Sequence, residues 1–337
     1  MIEKKIKKFS EFWKRENERF LVTICPGNYF VSKRYEAAQD FLKRPREISP
    51  DEFEPDAFRS DYLRIFEQYE ALVHDGIFTA VPFTGLPWME AISGCRVLST
   101  SSSFVAENHT TIDGHWLSNH RDKRWLDLYM RFTKMLCEVS GNRFDIGQPI
   151  MRGPCDLAGT LLGQKEMVYY FYDDPDTIIG LIDGYVTFFL EIMQEQKRYI
   201  PPFFGGSSIG FYDLWCPGDC IWFQDDLTSL LSPSLYEQHV LPVHRRLAAS
   251  YEYSLIHLHP ASFFILDYLL DIPELGCIQV NKDIGGPSVK EMLPFLKKIQ
   301  KTKNLVISGD FSNEELELIN KEVSPQGVYL IRIDSPD

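Results

Sequence analysis

No stretch of about 18 uncharged apolar residues occurs in this chain, so the sequence offers no helical membrane span. Residues 1–19 also lack the apolar centre of a secretory signal. Glu3, Lys4, Lys5, Lys7, Lys8, Glu11, Lys14 and Arg15 recur there at helical spacing, which predicts a charged N-terminal helix and a cytoplasmic protein. Positive charge is short: 35 Lys and Arg stand against 48 Asp and Glu, a net charge of −13. Nucleic acids and anionic membranes need a basic face, and both are excluded as main partners. A small anion in a locally basic pocket is not. No Gly-x-Gly-x-x-Gly turn follows any candidate strand, which argues against a dinucleotide site. Repeats and low-complexity segments are absent. The seven cysteines are odd in number and scattered, as expected of free thiols. The close pair Cys216-Pro-Gly-Asp-Cys220 reads as a tight turn, because no second pair or nearby histidine completes a zinc site.

What the chain has in plenty is apolar and aromatic material, 44% hydrophobic residues with 24 Phe, 16 Tyr and 6 Trp, enough for a large core. Eight strand-like runs recur: 20–25, 77–83, 146–151, 220–224, 254–259, 277–281, 304–308 and 328–333. Helix signals fill several intervals. Asp173-Asp174-Pro175-Asp176 opens a helix to Gln196, Ser232-Pro233-Ser234 caps one to Tyr251, Pro287-Ser288 starts one to Lys301, and Asn313-Glu314-Glu315 one to Lys321. Eight strands separated by helices predict an α/β fold, a (β/α)8 TIM barrel of one domain over 1–337, rather than an open doubly wound sheet. The interval 26–76 and the cap or insertion at 84–145 are too long for simple crossovers, so the barrel carries extra N-terminal and inserted segments.

Candidate chemistry collects where these strands end. In Tyr253-Ser-Leu-Ile-His-Leu-His-Pro, alternate side chains share a face, so His257 and His259 point the same way just before Pro260 stops the strand. Two such nitrogens can share one divalent metal ion, or simply hydrogen-bond beside the core. Cys220-Ile-Trp-Phe-Gln-Asp-Asp226 ends a strand in two carboxylates. Asp225 or Asp226 is the acid/base candidate there, unless Asp226 only caps the next turn. Met151-Arg-Gly-Pro-Cys155 offers Arg152 as a clamp for a carboxylate or phosphate, or as half of an internal salt bridge. Trp88 either lines the pocket mouth or anchors its loop. Glu107, His109, Asp113 and His115 are explained most cheaply as a polar hairpin on the cap. Gly285-Gly286-Pro287-Ser288 opens a helix whose amides can receive an anion.

Several of these segments together resemble one family. Gly153-Pro154 with Leu157-Ala158, then Asp174-Pro175-Asp176, match its fourth strand-to-helix passage. Asp226, Leu231-Ser232-Pro233, Tyr236 and Val240-Leu241-Pro242 match the next, and His257 and the strand holding Gln279 follow in order. Over roughly 75–335 the chain resembles the uroporphyrinogen decarboxylase superfamily, which includes cobalamin-dependent methyltransferases. The resemblance implies a TIM barrel with its site at the C-terminal ends of the strands. The decarboxylases carry an Arg-Gln-Ala-Gly-Arg segment, whereas this chain has Cys25-Pro-Gly-Asn-Tyr-Phe30 and no arginine before Arg34. The methyltransferases hold zinc on a His-x-Cys pair and a cysteine after the last strand. His257 matches the histidine, His259 stands at the cysteine, and Asp334 falls near the terminal cysteine.

The resemblance therefore implies methyl transfer between a corrinoid and a small molecule. Zinc or another divalent metal would sit on His257, His259 and Asp334, with Asp226 or Asp225 as acid/base and Arg152, Trp88 and Gln279 against the substrate. A corrinoid protein is an expected partner, and a homodimer is compatible with the reading. The alternatives are a metal-free decarboxylase or lyase acting on a tetrapyrrole or other carboxylate, and a non-catalytic corrinoid-binding barrel.

Overall fold

The structure, a computed structural model, describes residues 2–26, 32–107 and 120–334. Strands form at or beside each of the eight apolar runs: β1 (Leu21–Pro26), β2 (Thr79–Ala80), β3 (Asp145–Ile146, sharing only Ile146 with the run read as 146–151), β4 (Cys220–Phe223), β5 (Tyr253–Leu258), β6 (Cys277–Asn281), β7 (Asn304–Gly309) and β8 (Val328–Asp334). The fold is α/β. Six strands form an all-parallel sheet in the order β1-β8-β7-β6-β5-β4, and β2 pairs with β3 in a separate parallel ladder. β6 and β7 are almost wholly buried, as parallel strands covered on both faces require.

Among the described residues the sheet does not close into the expected eight-stranded ring. One isolated parallel bridge, Arg152 to Gln224, links the segment after β3 to the end of β4. Side chains take the place of ladder bonds at the gaps. The Asp75 carboxylate accepts from the Val22 amide at 3.0 Å, and the Asp213 carboxylate accepts from the Thr79 amide at 3.0 Å. The Gln148 amide donates to the Trp222 carbonyl at 2.7 Å and accepts from the Trp222 amide at 3.3 Å. This substitution is why β2 and β3 are shorter than their apolar runs.

Strand alternation sorts the core into two parts. Trp222, Leu255, Cys277, Val306 and Tyr329 form one cluster with Phe9 and Phe12 of the N-terminal helix Ile2–Trp13. Phe9 meets Tyr329 edge-on at 5.4 Å, and the Trp13 indole donates to the Trp215 carbonyl at 2.9 Å. Trp215 belongs to an antiparallel hairpin of Ser207–Ile209 with Leu214–Cys216 that the sequence reading missed. The larger cluster packs the opposite strand residues, such as Ile256, Ile278 and Leu305, against the helices. Helix Pro175–Lys197 shows the logic: Ile178, Leu181, Ile182, Tyr185, Val186 and Phe189 recur at three- and four-residue spacing on its buried face. The Asp174 side chain caps its first turn through the Thr177 amide, a contact typically contributing about 1 kcal/mol.

Two local features bear on the site. After Ser232 the helix begins at Pro233, widens into a π turn over Tyr236–Val240 and resumes at Leu241–Ala248. Pro242 has no N–H to give, so the ladder re-forms one residue out of step. The segment 84–145 carries helices Trp88–Ile92 and Lys123–Ser140 and strands Arg96–Ser99 and Phe104–Glu107, which extend an antiparallel sheet with Arg46–Ile48. No helix among the described residues is long and apolar enough to cross a membrane.

Candidate functional site

β5 and β6 carry apolar residues at Leu255 and Cys277, then polar ones two residues on at His257 and Gln279, with Asn281 after them. The two-residue period puts these polar groups on one face, above the apolar floor. Register places His257 beside Gln279, and Asn281 beside Ser308 of β7. The same parity carries Trp222 to Gln224 and on to Asp226.

The strand ends bring Asp226, His257 and His259 together, with one donor atom from each lying within 4.8 Å of the others. The two imidazole Nε2 atoms are 3.0 Å apart, and His259 Nε2 lies 4.0 Å from Asp226 Oδ1. Asp226 is steadied by the Gln224 amide, which donates to its Oδ2 at 3.2 Å. His259 Nδ1 lies 2.7 Å from Asp283 Oδ1. A carboxylate only accepts, so the Nδ1 carries the proton, and in the neutral ring the Nε2 presents its lone pair to His257. His257 Nδ1 bonds Gln279 Oε1 and lies 3.0 Å from the Tyr212 hydroxyl, which also donates to Gln279 Oε1 at 2.9 Å.

Electrostatics separate the two rings. The bond to Asp283 raises the pKa of His259 above the ordinary imidazole value. Burial, reinforced by His259 and only partly opposed by the negative Asp226, lowers that of His257. Burial also works against the charged form of Asp283. The bonds from His259 and Asn281 outweigh it and hold that carboxyl below its usual range.

Asp226 also lines a cleft of about 590 Å³ with Arg152, Asp156, Thr160, Gln224 and Leu227. Arg152 Nε pairs with the buried Glu90 at 3.2 Å, so the internal salt bridge is present, while half of the arginine side chain stays open to the cleft. Asp156 was not singled out from sequence. Burial, then the negative charges of Asp225 and Asp226, push its carboxyl well up, which favours the protonated form. Its Oδ1 accepts from the Leu227 amide at 2.8 Å, and its Oδ2 has no partner. Gly153 lets this loop approach β4: a Cβ there would lie 2.3 Å from the Gln224 carbonyl oxygen.

Other sequence candidates fall elsewhere. Asp225 points away from the histidine pair; its carboxylate accepts from the Asp156 amide at 2.9 Å and contacts His244 Nε2 at 3.0 Å. The π turn brings the Tyr236 hydroxyl to the other nitrogen of His244 at 2.9 Å. Trp88 is 1% exposed, donates to the Phe83 carbonyl at 3.0 Å and packs on Trp125, Tyr129 and Phe132, where it anchors its loop. Gln279 is fully buried and holds His257. Asp334 ends β8 opposite Pro26, but its side chain lies outside the described residues, as do His109, Asp113 and His115. Glu107 pairs with Arg96. Tyr212, Asp283, Asn281 and Ser308 were all missed. The parity that selects Gln279 also selects Asn281 and Ser308.

No protein-family model and no curated protein matches this chain. Among solved structures it is similar to a methyltransferase from Methanosarcina mazei, with a TM-score of 0.61 and 15% identity over 98% of this chain and 93% of that one. At that identity the likeness is one of fold, and it runs the length of both chains.

Proposed function

We propose that this chain is a (β/α)8 barrel enzyme of the uroporphyrinogen decarboxylase superfamily. In this reading it binds a divalent metal ion, zinc foremost, at Asp226, His257 and His259, and transfers a methyl group between a corrinoid and a small molecule in the cytoplasm. The convergence of those three donors carries the proposal. Two nitrogens and an oxygen are a usual zinc donor set that leaves a position open for substrate. Ligands about 2.1 Å from one tetrahedral ion stand about 3.4 Å apart. The observed 3.0 Å and 4.0 Å bracket that spacing. Fold likeness to a methyltransferase supports the reaction class, and eight parallel strands in chain order support the barrel.

A metal ion held by Asp226, His257 and His259 would supply Lewis acidity and lower the pKa of a substrate thiol. The methyl group then passes to sulfur while the electron pair of its former bond stays on the corrinoid. His257 and His259 hold the reacting centre, and Arg152 at the cleft wall binds a polar or anionic end of the substrate. Asp156, whose Oδ2 has no partner, can give a hydrogen bond into the cleft in its protonated form. The test is methyl transfer from methylcobalamin to a panel of small thiols, followed by the corrinoid absorption. Transfer that needs added zinc and disappears in His257→Ala supports the proposal.

One observation favours a second reading. Asp156 lines the cleft with Arg152, and burial beside Asp225 and Asp226 favours its protonated form, so it is placed to deliver a proton to carbon after a carboxylate leaves as carbon dioxide. Metal-independent carbon dioxide release from a carboxylate substrate, lost in Asp156→Asn, with no transfer to any thiol, selects that lyase instead.

A further inference from the structure

The two imidazoles are joined behind the site by a row of polar side chains, Gln279 and Ser308 buried and Asn281 and Asp283 half-buried. Gln279 Nε2 donates to Ser308 Oγ at 2.7 Å, Ser308 Oγ to Asn281 Oδ1 at 2.9 Å, and Asn281 Nδ2 to Asp283 Oδ1 at 2.7 Å. Gln279 Oε1 meets His257 Nδ1 at one end, and Asp283 Oδ1 meets His259 Nδ1 at the other. Gln279 is fully buried and Ser308 nearly so, so water cannot readily substitute for either of these two.

We infer that Ser308 and Asn281 are positioning residues that fix the tautomer of His257 from the Asp283 carboxylate, a relay that rests on the metal-site reading above. Each link has a single permitted direction. Asp283 has no proton to give, so Asn281 must turn its NH2 towards it. That leaves the Asn281 oxygen facing Ser308, whose one hydroxyl proton must go to it. The serine oxygen then accepts from the Gln279 NH2, and the Gln279 oxygen is left facing His257. His257 Nδ1 must therefore carry the proton and donate, which leaves the Nε2 lone pair turned towards His259.

Without the relay nothing else makes this choice. A glutamine amide can flip, and the Tyr212 hydroxyl, 3.0 Å from Nδ1, can donate to a bare nitrogen as readily as to Gln279. In that alternative His257 carries its proton on Nε2 and cannot ligate a metal. With the relay, two Nε2 lone pairs face each other at 3.0 Å, an arrangement that is stable only with a cation or a shared proton between them. The same four side chains thus hold the rings still and keep the pair receptive to a cation.

Ser308→Ala tests this, with Ser308→Ala/Gln279→Glu as the rescue. The alanine removes the acceptor of the Gln279 NH2 and frees the amide to flip. A glutamate accepts from Nδ1–H with either oxygen, so the double variant restores the tautomer without the serine. The readouts are the 15N shifts of His257 in metal-free protein and the affinity for Co2+ from its visible absorption, with thermal melts to confirm folding. The relay predicts protonation on Nδ1 in the native chain, on Nε2 in Ser308→Ala, and on Nδ1 again in the double variant. Co2+ affinity should fall tenfold to a hundredfold in the single variant and recover in the double. A folded Ser308→Ala with the native tautomer and affinity overturns the relay and leaves the metal site standing. The predicted tautomers in a native chain that binds no metal uphold the relay and overturn the metal site.

Discussion

Asp283→Ala, made in chelator-treated protein, separates two contributions of one carboxylate. Asp283 Oδ1 accepts bonds of 2.7 Å from both His259 Nδ1 and Asn281 Nδ2. Removing it leaves two donors without that acceptor, a loss of about 1–2 kcal/mol at any pH where the carboxyl is ionised. A second contribution depends on pH. The bond to Asp283 raises the folded-state pKa of His259 above its unfolded value of about 6.5. Stability from a raised imidazole is fully present below the unfolded value and is lost as pH rises through the folded one. Asp283 itself is depressed, and its contribution is lost only as pH falls through its own low value, so measurements stay above about pH 5. The histidine side chain is 35% exposed and that of Asp283 30%, so solvent screening keeps the electrostatic part near 1 kcal/mol. Urea denaturation should therefore give a deficit of about 1–2 kcal/mol at pH 8.5 and about 2–3 kcal/mol at pH 5.5. An equal deficit at the two pH values, or a larger one at pH 8.5, would refute this account of the His259–Asp283 pair.

Three other substitutions separate structural from site residues. Asp225→Ala leaves His244 and the Asp156 amide without their buried partner and should cost about 3–5 kcal/mol in urea denaturation; unchanged stability would count against the assignment. Trp88→Ala should cost about 3–5 kcal/mol by the same assay, with little change in metal affinity, since the indole sits in the core. Gly153→Ala forces a Cβ towards the Gln224 carbonyl oxygen, and should lower metal affinity by displacing Asp226 along with Gln224; an unaltered Co2+ titration would contradict that.

Much of the sheet was legible in the sequence, because strands buried on both faces are nearly continuous apolar runs. Seven of the eight runs hold most of a strand, the run 146–151 shares only Ile146 with its strand, and β6 spans the very residues read from the sequence. β2 was read too long, and β3 was read both too long and displaced towards the C-terminus. Asp75, Asp213 and Gln148 take bonds that backbone neighbours would otherwise make, and periodicity carries no trace of that exchange. The 207–216 hairpin escaped notice because its strands are three residues long, and with it went Tyr212. The histidine pair was legible from the two-residue period alone. The same period, counted from Trp222 through Gln224, separates Asp226 from Asp225, which composition left undecided. Asn281 and Ser308 share a parity with Gln279 and could have been read. The raised pKa of Asp156 could not, because it depends on burial and on Asp225 and Asp226 closing around it in three dimensions.

Anomalous diffraction from crystals soaked in zinc, recorded on both sides of the zinc edge, tests the central claim most directly. The account predicts one strong peak between the Nε2 atoms of His257 and His259 and the Asp226 carboxylate, absent from His259→Ala crystals. A zinc-soaked native crystal with no peak at these three residues, or with its peak elsewhere on the chain, would contradict it.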